Sequence, residues 1–129
     1  MKYLVDTHVF LWAMRSPAEL SNRARNILAD PRAELLLSMI VPWEIAIKSG
    51  AGKLKNSEEI LADFEGLTAA AGFQVLETSI KHAIQSGLLP LHHKDPFDRL
   101  LIAQSLDLNI PVLSGDECFD RYGVKRVWR

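Results

Sequence analysis

The 129-residue chain has a single cysteine, Cys118, so no disulfide can form within it. Nothing in the composition calls for an oxidising compartment. There is no CxxC pair and no Cys/His cluster that argues for structural zinc. Long apolar runs are also missing. The longest, "LLLSMIVPW", is far too short to span a bilayer. The N-terminus reaches Asp6 before any signal-like apolar region develops. The expectation is a cytoplasmic protein with no membrane segment. Linkers, low-complexity tracts and repeats of solenoid length are absent as well. With 48% hydrophobic and 24% charged residues, the chain fits one domain over residues 1–129 with a core of its own. Charge of one sign is not in surplus. The formal net charge of −1 argues at first against a nucleic-acid partner. If four carboxylates are committed to a cation, however, the remainder carries +3, and a mildly basic rim around an acidic pit is possible.

What is present is an alternation of strand-like and helix-like segments. "KYLV" reads as a short apolar strand, and "HVFLWAM" after it as a helix. Ser21 caps a helix over "NRARNILAD", which Pro31 closes. "ELLLS" is a second strand. "VPWEIAIKSG" is a helix with Pro42 in its first turn and Gly50 at its end. Asn56 or Ser57 starts one helix over "EEILADFEGLTAAAG", and Asn56 with Glu59 has capping-box spacing. "FQVLE" is a third strand, and Thr78 or Ser79 caps "IKHAIQSG". Pro96 opens a long helix, "FDRLLIAQSLDLN". "IPVLS" is a fourth strand and "VKRVW" a short fifth. Strands separated by helices imply an α/β fold. The expected architecture is a parallel central sheet of four to five strands with helices on both faces. Ligands bind such sheets beyond the carboxyl ends of the strands.

Two acids fall on that edge. Asp6 ends the first strand, and Asp116 lies just past the fourth, in "PVLSGD". Taken singly, Asp6 would serve equally as a helix N-cap and Asp116 as a turn residue. Glu44 and Asp98 are harder to explain structurally. Glu44 has Val41, Ile47 and Lys48 as helical neighbours, and Asp98 has Leu101 and Ile102. A lone carboxylate beside apolar side chains must lose its charge or find a cation. An i,i+4 pair between Glu44 and Lys48 is one such answer, worth only about 0.3–0.5 kcal/mol, and Lys94 offers Asp98 another.

The four acids together suggest a different answer. Two carboxylates ~4 Å apart repel by about 4 kcal/mol at an effective dielectric near 20. Four in one pit require a cation, and an all-oxygen set suits Mg²⁺ or Mn²⁺. Such an ion activates water and stabilises a leaving oxygen in phosphodiester hydrolysis. Thr7 and Ser114 are nearby hydroxyls that could orient water or a phosphate, and Arg99 could hold a phosphate, orient a carboxylate or make a surface ion pair. Asp95 reads as a cap for the helix at Pro96. His92, His93 and Lys94 form a loop that could follow an RNA backbone or simply be solvated. His8 reads as a structural residue of the first helix, and Trp12 and Trp43 as core. Lys125, Arg126 and Arg129 make a small basic end.

The ordered segments "DTHVFLW", "WEIAIKSGAGKL", "LPLHHKDPFDRLLIAQ" and the closing "YGV" resemble the PIN domain. More closely, they resemble the VapC-type toxins of bacterial type II toxin–antitoxin systems. The likeness runs from about Tyr3 to Trp128. It implies a Mg²⁺- or Mn²⁺-dependent endoribonuclease, a homodimer and a cognate antitoxin that blocks the site. The family's acidic positions fall on Asp6, Glu44, Asp98 and Asp116, and its small hydroxyl on Ser114. The competing readings are a receiver- or phosphatase-type Mg²⁺-binding α/β protein and a non-catalytic RNA- or partner-binding PIN module. The receiver reading lacks its second acid after "DTH" and its lysine beyond a late strand.

Overall fold

The computed structural model describes residues 1–129. Five strands form one sheet: β1 (Lys2–Val5), β2 (Glu34–Ser38), β3 (Phe73–Leu76), β4 (Val112–Leu113) and β5 (Arg126–Val127). All four pairings are parallel, in the spatial order β3-β2-β1-β4-β5. The chain builds outward from β1 in one direction, then returns to the other side of β1 for β4 and β5. The sheet's switch point therefore lies between β1 and β4.

The seven α-helices are α1 (Thr7–Arg15), α2 (Asn22–Ala29), α3 (Ile40–Gly50), α4 (Glu58–Ala62), α5 (Phe64–Ala70), α6 (Ile80–Leu88) and α7 (Pro96–Leu108). Two 3-10 turns, Pro17–Glu19 and Glu117–Tyr122, complete the chain. No helix is long and apolar enough to cross a membrane.

Strand periodicity sorts the core into two halves. Tyr3 and Val5 join Leu35, Leu37, Phe73 and Leu113 on one face, against Val9, Phe10, Ala24, Ile45 and Ile60. Leu4 and Val112 point the other way, against Leu100, Leu101, Ile102 and Phe119. So α1 to α5 cover one face, while α7 and the second 3-10 turn cover the other. Each fully buried aliphatic side chain contributes roughly 1.5–3 kcal/mol, so one-residue slips of β1, which would swap the faces, are strongly disfavoured.

Three local expectations are corrected. The segment 58–70 is two helices. Asp63 leaves helical geometry (φ −147°, ψ 66°), and its carboxylate accepts the Gly66 N–H at 3.2 Å, starting a new helix. The Asn56 capping box does not form. Asn56 takes a left-handed conformation (φ 59°), and Ser57 is the N-cap, without a side-chain bond. Trp43 is not core but 58% exposed, packed edge-on against Phe97 with ring centroids 5.1 Å apart. It lies in a solvent-facing row with Met39 and Ile47, four residues apart along α3. Trp12, in contrast, packs half-buried against the core.

Candidate metal centre

Asp6 sits where β1 becomes α1, and it does two jobs. Its Oδ1 accepts the Thr7 N–H at 2.7 Å, starting the helix. Its Oδ2 accepts the Ser114 hydroxyl at 2.7 Å, across the β1–β4 switch point. Glu44 projects from the second turn of α3. Its Oε1 accepts the Thr7 hydroxyl at 2.6 Å, and its Oε2 pairs with Lys48 Nζ at 2.6 Å. The i,i+4 pair thus forms, but Glu44 is only 6% exposed, so it is not a surface pair. Asp98 lies in the first turn of α7, capped by Asp95, whose Oδ1 accepts the Phe97 and Asp98 N–H groups. Asp116 caps the last 3-10 turn by accepting the Cys118 N–H at 2.9 Å, and its N–H donates to Ser114 Oγ.

These four carboxylates, with Thr7 and His8, line one cavity of about 350 Å³ at the C-terminal edge of the sheet. Five acids, counting Asp95, face two lysines, Lys48 and Lys53. The excess of negative charge registers on Asp98. Burial, then Asp6, push its carboxyl up to about 7 from an ordinary 3.8, against the pull of a hydrogen bond from His93. Lys48 is held in its charged form chiefly by the hydrogen bond to Glu44.

The donor set fits a hard divalent cation. All four acids offer oxygen only, and burial, with Asp6, Asp95 and Glu44 nearby, disfavours a bare charge on Asp98 where no cation is present. Asp6, Glu44, Asp98 and Asp116 are the residues that would hold it.

The auxiliary residues divide. Thr7 and Ser114 each hold a carboxylate by its oxygen. Arg99 holds no carboxylate, and it makes no surface ion pair. It is buried, 7% exposed, and its guanidinium donates to the carbonyls of Gly87, Leu89, Pro90 and His93 and to Tyr122 Oη. It finds no carboxylate and is sealed from any phosphate, because the loop between α6 and α7 wraps around it. Lys94 does not pair with Asp98. His93 takes that place, Nε2 to Oδ2 at 2.7 Å. That turns His93 inward, while His92 and Lys94 stay exposed. At the basic end, Arg126 is clamped on Asp120 (2.8 and 3.1 Å), which leaves Lys125 and Arg129 as its exposed cations.

His8 had been assigned to the helix alone. The structure sets its Nδ1 3.1 Å from Asp6 Oδ2, with the Gly115 N–H donating to its Nε2 at 3.3 Å. Burial disfavours its charge, but Asp6, then Asp116 and Asp98, outweigh burial and raise its pKa. The only signal in the sequence is its place two residues after Asp6. Cys118 lies beside the site as well. Its Sγ lies 4.0 Å from Asp98 Oδ2, and burial, then Asp98 and Asp116, push its thiol pKa up.

An all-parallel α/β sheet with a carboxylate-walled cavity at its switch point places the chain among α/β domains that carry their site at the carboxyl ends of the strands. The particular family follows from the sequence: residues 3–125 match the profile of the PIN domain, and the chain belongs to that family. No curated protein gives a significant match. Among solved structures, the chain is similar to VapBC2 from Rickettsia felis, bound to a DNA fragment from its promoter. The two share 17% identity and a TM-score of 0.73, with 100% of each chain covered. It is similar to VapBC-1 from nontypeable Haemophilus influenzae at 19% identity and a TM-score of 0.65, covering 98% and 97%. It is also similar to FitAcB from Neisseria gonorrhoeae at 18% identity and a TM-score of 0.68, covering 98% and 96%. Family membership, and the lack of a lysine beyond the last residues of β4 and β5, Leu113 and Val127, set the receiver-type reading aside.

Proposed function

We propose that this protein is a Mg²⁺- or Mn²⁺-dependent endoribonuclease of VapC type, the toxin half of a toxin–antitoxin pair acting in the cytoplasm. The observation that carries the reading is the convergence of Asp6, Glu44, Asp98 and Asp116, from four separate elements, on one cavity. The PIN family and the fold shared with VapBC and FitAB chains support it.

A divalent cation held by Asp6, Glu44, Asp98 and Asp116 would supply Lewis-acid activation of water and of the phosphodiester. The chain's own residues supply the rest. Ser114 and Thr7 fix the orientation of Asp6 and Glu44. Lys48 neutralises one face of Glu44. His93 steadies Asp98, and Arg99 steadies His93 through its carbonyl. Lys53 at the rim, with His92 and Lys94 on the loop before α7, offers cationic contacts to an RNA backbone. The exposed apolar rows Met39, Trp43, Ile47 on α3 and Ile80, Ile84, Leu88 on α6 suit a homodimer contact and an antitoxin contact.

The test is a labelled single-stranded RNA incubated with the protein and Mg²⁺. Cleavage is expected, with none in EDTA and none by Asp6→Asn or Asp98→Asn. Cleavage by both variants at the wild-type rate overturns the reading.

A further inference from the structure

The single thiol has no part in the site described so far, yet it stands in the wall beside it. Cys118 Sγ approaches Asp98 Oδ2 at 4.0 Å, and His93 Nε2 approaches the same oxygen at 2.7 Å. The nitrogen, oxygen and sulfur atoms of the three residues all lie within 4.8 Å of one another, and all three residues are half-buried.

The backbones that carry them are pinned. The His93 N–H donates to Tyr122 Oη at 2.8 Å, and its carbonyl accepts from Arg99 at 3.1 Å. The Cys118 N–H is held by Asp116 at 2.9 Å. Asp98 is fixed in the first turn of α7. Only side-chain rotations separate this arrangement from a coordination sphere. Zn²⁺ takes thiolate, imidazole and carboxylate at roughly 2.0–2.3 Å, and three protein ligands plus a water complete a tetrahedron. Mg²⁺ has little use for sulfur. The two donor sets therefore discriminate by softness, and they share one residue.

We propose that His93, Asp98 and Cys118 form a second cation seat, selective for Zn²⁺ or another thiophilic divalent ion, and that filling it draws Asp98 away from the all-carboxylate set. As the sulfur–metal bond forms, the thiol proton leaves to solvent. His93 binds through the Nε2 lone pair, with its proton on Nδ1. No electrons are transferred. Cation binding at this seat is independent of the nuclease reading; only its inhibitory consequence rests on that reading.

Co²⁺ is the probe, added to the full chain. One Co²⁺ per chain should give a thiolate-to-cobalt charge-transfer band that Zn²⁺ displaces. Cys118→Ser should abolish the band. Asp6→Asn, which alters only the carboxylate set, should keep it. His93→Ala should weaken binding at least by the roughly 10–100-fold that loss of even an outer partner costs a metal site. No band at saturation, half a cobalt per chain, or unchanged affinity in His93→Ala overturns the seat. In the cleavage assay with excess Mg²⁺, Zn²⁺ should inhibit wild type at concentrations that leave Cys118→Ser active. Equal inhibition of the two overturns the withdrawal of Asp98. If no RNA is cleaved at all, the nuclease reading has failed, and the cobalt arm still decides the seat.

Discussion

Helix α7 carries two aspartates, each paired with a histidine, and the two ends of the helix treat them oppositely. At the N-terminal end, Asp98 meets His93 at 2.7 Å. Toward the C-terminal end, Asp107 meets His82 at 2.8 Å and Lys81 at 2.6 Å. The hydrogen bonds are alike. The surroundings are not. Lys81 and His82 hold the Asp107 carboxyl below its ordinary value. Burial, Asp6, Asp95 and Glu44 overwhelm the same kind of bond at Asp98 and push it up to about 7. Asp107, a clasp between α6 and α7, is given cations. Asp98, in the carboxylate cavity, is given other acids and burial.

The comparison breaks most sharply under substitution. Asp98→Asn should lower kcat/KM for RNA by at least about 100-fold, since a direct ligand matters no less than its outer partners. Asp107→Asn should leave kcat/KM unchanged and lower the thermal midpoint. Equal losses of activity in the two variants would show that the two ends do not differ in kind.

Cation binding should sharpen the contrast next. At a Mg²⁺ concentration 100 times Kd, binding contributes about 2.7 kcal/mol, or roughly 10 °C in Tm for a domain of this size. EDTA should reverse the shift. Asp107→Asn should retain it and Asp98→Asn should lose it, as scanning calorimetry would read.

Arg99 serves the Asp98 end by holding the loop that presents His93. Arg99→Leu leaves buried carbonyls without donors and should cost roughly 2–3 kcal/mol in urea unfolding. Its effect on kcat should exceed that of Lys94→Ala, whose side chain is exposed.

The smallest effect is on pH dependence. A carboxyl whose folded pKa exceeds its unfolded value binds more protons when folded, so its contribution to stability falls as pH rises between the two. For Asp98 that window runs from 3.8 to about 7. Asp107, with a lowered folded pKa, contributes stability that is lost as pH falls through its folded value. Metal-free Asp98→Asn should therefore show a flatter decline in Tm from pH 4 to pH 7 than wild type. A decline as steep as that of wild type would remove Asp98 as its source.

Much of this was legible beforehand where local rules govern. The strands at "KYLV" and "ELLLS" follow from short apolar runs of the kind a sheet covered on both faces buries, and the caps at Ser21, Ser79 and Asp95 follow from the need to satisfy free amides. The position of Asp6 and Asp116 at one sheet edge follows from strand order in a parallel α/β chain, whereas Glu44 and Asp98 stand out only as carboxylates beside apolar helical neighbours. The break at Asp63 was not legible, because Asp is tolerated inside a helix and here caps one instead. Trp43 was misplaced because an aromatic at helical spacing looks the same whether its face meets a core or solvent. The setting of Arg99 was not legible because nothing local says that four carbonyls from the end of α6 and the loop after it, with the Tyr122 hydroxyl, will surround one guanidinium.

The sequence by itself determined the α/β alternation, the acids just beyond the ends of β1 and β4, and the PIN family. These depend on periodicity, capping and residue order, all of which are local or linear. The i,i+4 pair of Glu44 with Lys48 is local, but only the tertiary structure decided the other partners: Ser114 for Asp6, Thr7 for Glu44, His93 for Asp98. Those pairings join residues up to 108 positions apart. A carboxylate's charge state is set by everything within a few ångströms of it, and that neighbourhood exists only once the sheet has brought β1 and β4 side by side.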